Sequence, residues 1–168
     1  MTKIINLLGA PSSGKSVLRA YLYNRLKIES KLKIEEVTEF AKDLVYENPS
    51  LLEDQFYVTA EQHRRIRRLI GKVDIVINDS PIILGAIYNQ TLPSVWNKFL
   101  AELYQQYDNI TLLLTPQTFQ QYGRIHNQSE VTNIHIKLMN FLYNNNIPFE
   151  KHTDNISTYN YIQKVINE

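Results

Sequence analysis

Eight consecutive residues near the start of the chain, Gly9-Ala10-Pro11-Ser12-Ser13-Gly14-Lys15-Ser16, combine the groups needed to hold a chain of phosphates. They fit the pattern G-x-x-x-x-G-K-[ST]. Glycines let successive backbone N–H groups turn inward and form a concave anion nest. A helix starting at the end of the loop points its positive dipole end and its free N–H groups at the same place. Lys15 adds a mobile cation for the β- and γ-phosphates, and Ser16 offers a hydroxyl to Mg²⁺. The pattern predicts that Gly9, Ser12, Ser13, Gly14, Lys15, Ser16 and Val17 hold a nucleotide, ATP or GTP, together with Mg²⁺. A Gly/Ser turn that only caps a helix has no need of Lys15 followed by Ser16.

Two acids extend this chemistry. Asp79 closes the apolar run Val73-Asp74-Ile75-Val76-Ile77-Asn78, and an acid at the end of a central strand beside such a loop holds Mg²⁺ directly or through water. Asp-Ser-Pro also suits a capped turn, and both roles can hold at once. Glu39 lies where a strand hands over to a helix. A carboxylate there can accept the proton of an attacking hydroxyl as a phosphoryl group moves, or can sit in the first helical turn and favour the dipole. Glu35 and Glu36 lie nearer the strand and read as structural or solvated.

These groups need a scaffold that gathers strand ends. Apolar runs over 3–8, 33–38, 73–78, 110–114 and 148–152 predict strands, and amphipathic stretches over 15–28, 39–47, 59–70, 93–107, 130–144 and 157–166 predict helices. Val17, Leu18, Tyr21, Leu22 and Leu26 recur at helical spacing directly after the loop. Alternating βα units imply a parallel sheet covered on both faces, with ligands at the carboxyl ends of its strands. At 168 residues the chain is expected to form one domain spanning 1–168. Its 43% hydrophobic and 21% charged residues are ordinary for a soluble protein, and the net charge of +1 argues neither for nor against a polyanionic partner. With no cysteine, disulfides, thiolate zinc sites and a cysteine nucleophile are excluded. His126 and His135 lack neighbours at metal-ligand spacing, so no zinc is expected. No signal peptide or membrane span is read, and a cytoplasmic enzyme is the expectation.

Four segments, "GAPSSGKSVL", "TEFAKDLVYE", "VINDSP" and "YGRIHNQSE", follow one another along most of the chain. With them the sequence resembles the small P-loop kinases and AAA-type ATPase-like proteins common in bacteriophages. It is also similar to the ribosylnicotinamide kinase domain of the bacterial NAD-biosynthesis regulator. The resemblance implies a three-layer α/β/α P-loop NTPase, nucleoside/nucleotide-kinase-like, with a central parallel five-stranded sheet. It implies transfer of the γ-phosphoryl of ATP to a nucleoside or nucleotide, in the host cytoplasm if the chain is phage-encoded. It places the acceptor ribose hydroxyl at Glu39, although the kinase-domain pattern carries an arginine where this chain has Lys42. In such kinases a glutamine on the helix of residues 59–70 reads a base edge, which points to Gln62. An arginine there can hold an acceptor monophosphate, with Arg65 the candidate and a solvated basic face the other reading. Phe56 and Tyr57 can stack on a base, or more simply enter the core. A closing lid over 115–129 would bring Arg124 onto the transferred phosphoryl, with Gly123 and Glu130 echoing the phage pattern and Ser129 reading as a helix N-cap. Two other classes fit the same residues: a kinase acting on nucleic acid, at a strand end or on a hydroxymethylated pyrimidine, and a non-kinase ATPase or nucleotide-binding switch. A homodimer is compatible with all three.

Overall fold

Strands β1 (Lys3–Leu8), β2 (Ile34–Val37), β3 (Ile75–Asn78), β4 (Asp108–Leu114) and β5 (Glu150–His152) form one parallel sheet in the order β2-β3-β1-β4-β5. The computed structural model describes residues 2–115 and 128–167. β1 lies in the middle, with Ile5 opposite Ile77 on one side and Ile110 on the other. Apart from Lys3 and Asn6 its residues are apolar on both sides, because both faces are covered. Ile5 and Leu7 face one layer with α1 (Lys15–Glu29) and α7 (Asn155–Asn167), where Leu18, Leu22, Leu26, Tyr159 and Ile162 are buried. Ile4 and Leu8 face the other, with Ile66 of α3 (Gln55–Arg67), Leu84 of α4 (Leu84–Ile87), Ala101 of α5 (Val95–Gln105) and Leu138 of α6 (Gln128–Asn144). Each such buried Leu or Ile contributes roughly 1.5–3 kcal/mol. The expected three-layer arrangement with a five-stranded parallel sheet is therefore observed.

Between β2 and α3 the chain forms α2 (Phe40–Glu47) and a 3₁₀ turn over Pro49–Glu53. α3 begins four residues earlier than the apolar spacing predicts. The cause is Asp54, whose Oδ1 accepts the Tyr57 N–H at 3.0 Å and starts the helix there. It ends at Arg67 rather than Ile70, four residues before Gly71 turns the chain at φ +76°. The short α4 has too few residues for a periodic signal and was not anticipated. Among the described residues no helix is long and apolar enough to cross a membrane.

Candidate active site

The loop after β1 is shaped by what its glycines lack. A Cβ on Gly9 would lie 2.3 Å from Ser13 Oγ and 3.2 Å from the Leu114 carbonyl oxygen, so only glycine lets the loop fold back against β4. Gly14 sits at φ +85° immediately before α1, and Ser12 at φ +76°. For serine this left-handed backbone is strained, and such strain is retained where surrounding contacts or a ligand offset it. The turn is closed by Ser13 N–H donating to the Ala10 oxygen at 3.2 Å. Ser12 Oγ and Ser13 Oγ are buried and have no hydrogen-bond partner. Lys15 Nζ folds back onto the loop, donating to the carbonyl oxygens of Gly9 at 2.8 Å and Ala10 at 3.1 Å. Burial lowers the Lys15 pKa, while the charges of Glu39 and Asp79 oppose that shift. Val17, expected on the apolar face of α1, is 66% exposed, so it can offer the nest only its backbone.

The two acids named from sequence come together at this lysine. Glu39 is the residue before α2 and its side chain caps nothing, which leaves the carboxylate available to the crevice. Its pKa is raised by burial; Lys15 pulls it down and Asp79 pushes it further up. Asp79 is 3% exposed, and its pKa is also raised by burial, against the pull of Arg19 and Lys15 and a contact from the Ser16 hydroxyl. The amide of Ser80 is taken by Asn78 Oδ1 at 3.3 Å, so Asn78 rather than Asp79 caps the turn. Asp79 Oδ1 is buried without a hydrogen-bond partner. A carboxylate that lies against Ser16 and Lys15 and keeps one oxygen unbonded fits a hard cation: Mg²⁺ takes one or two protein oxygens and fills its shell with phosphates and water. Among the described residues no group of three or more His, Asp or Glu forms a metal cage of its own. Tyr88, which sequence reading missed, joins this cluster. Its phenol is pushed up to about 12 by burial and by the charge of Glu39. No motif surrounds Tyr88, so nothing local in the sequence singles it out.

The side chains named for the acceptor lie elsewhere or are already engaged. Gln62 is 3% exposed and spends its amide on the protein. Its Oε1 accepts the Phe40 N–H at 2.9 Å, and its Nε2 donates to the Thr38 oxygen and to Asn78 Oδ1, both at 3.3 Å. It therefore grips the backbone on either side of Glu39 instead of presenting its amide to a base. Asn78 Nδ2 passes the chain of bonds to Asn6 Oδ1 at 2.9 Å, and Asn6 Nδ2 to Asn109 Oδ1 at 2.8 Å, across three adjacent strands. Arg65 donates from Nη2 to Asp43 at 2.7 Å and from Nε to Glu61 at 3.2 Å, and lies over the Phe40 ring. Hydrogen bonds from Arg64 and Arg65 hold the Glu61 pKa down to about 2. Arg64, Arg65 and Arg68 border a cavity of about 270 Å³ with Glu36, Val37 and Thr38. Phe56 and Tyr57 do not enter the core: they are 61% and 43% exposed. Phe56 lies 5.3 Å from the Trp96 ring, and Tyr57 meets Phe40 edge-on. Gly123 and Arg124 lie outside the described residues, as does most of the lid segment.

No protein-family model matches the chain, and no curated protein matches its sequence. Solved structures do. A deoxyadenosine kinase from M. mycoides, solved with bound dATP, superposes with a TM-score of 0.64 at 14% identity, covering 98% of this chain and all of that one. A thymidylate kinase from Ehrlichia chaffeensis gives a TM-score of 0.67 at 15% identity, with both chains covered completely. At these identities the likeness is one of fold. Similarity to a ribosylnicotinamide kinase is not among these findings. The chain has the three-layer α/β/α P-loop fold that these nucleoside and nucleotide kinases share.

Proposed function

We propose that the protein is an ATP- and Mg²⁺-dependent phosphotransferase that moves the γ-phosphoryl of ATP, or GTP, to a hydroxyl or phosphate of a nucleoside or nucleotide. The observation that supports this most is the convergence of Glu39 and Asp79 on Lys15, whose charge acts on both carboxyls, at the mouth of a nest with orphaned serine hydroxyls. A nucleotide-binding switch has no evident need for Glu39, a carboxylate held free of any capping bond beside the lysine.

In this reading the amides from Gly9 to Val17 cradle the phosphates, and Lys15 exchanges its two loop carbonyls for β- and γ-phosphate oxygens. Ser16 and Asp79 would hold magnesium, which supplies charge neutralisation and a template for the phosphate oxygens. Glu39 takes the proton of the acceptor hydroxyl as its oxygen bonds to phosphorus and the bond to the nucleoside diphosphate breaks. Tyr88 walls the crevice beside Glu39, and Arg124 from the lid would offset charge on the moving phosphoryl. The nucleic-acid reading needs free arginines on and just after α3, and two of the four in that run, Arg64 and Arg65, are already tied to Glu61 and Asp43.

The test is transfer of labelled γ-phosphate from ATP to a panel of nucleosides, nucleoside monophosphates and DNA ends, with magnesium present. A labelled nucleoside or nucleotide is the expected product. Release of inorganic phosphate alone overturns the reading in favour of an ATPase, and label on DNA alone redirects it to nucleic acid.

A further inference from the structure

Arg19 lies one helical turn beyond Lys15 on α1 and, at 16% side-chain exposure, is mostly removed from solvent. Its Nε donates to Asp79 Oδ2 at 2.9 Å, and its Nη1 pairs with Glu36 Oε2. One guanidinium therefore ties together α1, the end of β3 and β2. The geometry of that group matters. A guanidinium is a rigid planar fork, so a bond from Nε fixes the tilt of the carboxylate it meets, while a second bond to Glu36 fixes the fork itself. With Oδ2 occupied, the oxygen left over is Oδ1, which is buried, has no partner, and belongs to a carboxylate lying against Ser16 and Lys15.

We propose that Arg19 is a positioning residue of the phosphate site, clamping Asp79 through Oδ2 so that Oδ1 is held as the cation-facing oxygen, with Glu36 as the outer brace. The proposal rests on the reading of Asp79 as a magnesium ligand. Without the clamp, Asp79 is free to turn about its side-chain bonds, and the other cation pressing on it is Lys15. Capture of Lys15 by Asp79 would withdraw the lysine from phosphate and the carboxylate from metal together. An ion pair that merely staples α1 to the sheet predicts something different: lower stability with unchanged handling of magnesium.

Calorimetry of ADP binding with and without Mg²⁺ separates the two, because the readout is the gain in affinity that magnesium confers and no turnover is involved. Partners that orient a metal ligand are worth about 10- to 100-fold in metal affinity. Arg19→Met is expected to bind ADP alone within about twofold of the parent and to lose about tenfold of the magnesium gain. Arg19→Lys, which can reach one acid but not both in fork geometry, falls between. Mn²⁺ bound with ADP, followed by electron paramagnetic resonance, reports the same loss as an altered coordination signal. Asp79→Asn is the reference. If it abolishes the magnesium gain and Arg19→Met leaves the gain intact, the positioning role is overturned while the magnesium site stands. If Asp79→Asn itself keeps the full gain, the parent reading fails. Should Arg19→Met not fold, Glu36→Gln carries the test: it leaves the clamp but removes the brace, and a magnesium gain equal to that of the parent overturns the proposal.

Discussion

The nest and the acceptor wall treat their polar atoms in opposite ways. In the nest, Ser12 Oγ, Ser13 Oγ and Asp79 Oδ1 are buried without partners, and Ser12 holds a strained backbone. On α3, by contrast, every polar group of the Gln62 side chain is bonded to protein, and Arg65 is divided between two acids. Orphaned buried groups cost stability and are retained where something else completes them. Satisfied networks stiffen what they touch. The difference teaches where bonding capacity is spent: the nest keeps some in reserve, whereas Gln62 and Arg65 spend theirs on the protein around Glu39, with Thr59 Oγ1 the buried atom on α3 left without a partner.

Substitutions can break this contrast. Lys15→Ala should have the largest effect, lowering turnover by about 10³-fold or more, equivalent to ~4 kcal/mol of barrier, with the far-ultraviolet circular dichroism unchanged. Retained activity would remove the nest from the chemistry. Glu39→Gln should cut transfer by about 10²- to 10⁴-fold while leaving MgATP affinity near that of the parent, as measured by calorimetry. It should also stabilise. Burial raises the Glu39 pKa, so the folded protein holds that proton more tightly than the unfolded chain. Such a group contributes stability below its unfolded pKa and loses it as pH rises through the folded value. The variant should therefore melt above the parent at about pH 8, with the gap closing toward about pH 4.

Gln62→Leu sharpens the contrast from the other side. It strands the Phe40 N–H and the Thr38 carbonyl and should cost about 1–3 kcal/mol in chemical denaturation. Turnover should fall with the preference between purine and pyrimidine acceptors unchanged; a switched preference would restore the base-reading role. The smallest effect belongs to Arg65→Ala, a partly exposed pair worth about 0.5–1 kcal/mol. A rise in KM confined to phosphorylated acceptors would return Arg65 to the acceptor.

The donor side was legible because its chemistry is local. β1 runs over the same residues that the apolar run predicts, and α1 differs by one residue, since strand, loop and helix all follow from neighbours in sequence. Glu39 and Asp79 could be named from sequence for the same reason: each stands just past the end of a strand, β2 and β3 respectively. Arg19 was not found, because next to Leu18 on an amphipathic helix it reads as a solvated charge, and its partners are 17 and 60 residues away. Gln62 reads from sequence as a base-reading amide, whereas in the structure it bonds to neighbouring backbone, since nothing in a helical pattern tells which of the two an amide will meet. For Phe56 and Tyr57 the sequence left stacking on a base and entry into the core both open, and the Asp54 cap, which starts α3 early, leaves both rings outward.

The position of β2 has a bearing on how the protein behaves in a crowded solution. A strand at the border of a sheet leaves one row of amides and carbonyls ready to zip onto another molecule, a route to fibres and precipitates. Here that border is only four residues long, and three guanidinium groups stand around the hollow beside it. An intruding strand would have to strip water from those charges before it could dock, which makes the approach unfavourable. The arginine-rich helix thus raises the cost of edge-to-edge pairing at β2.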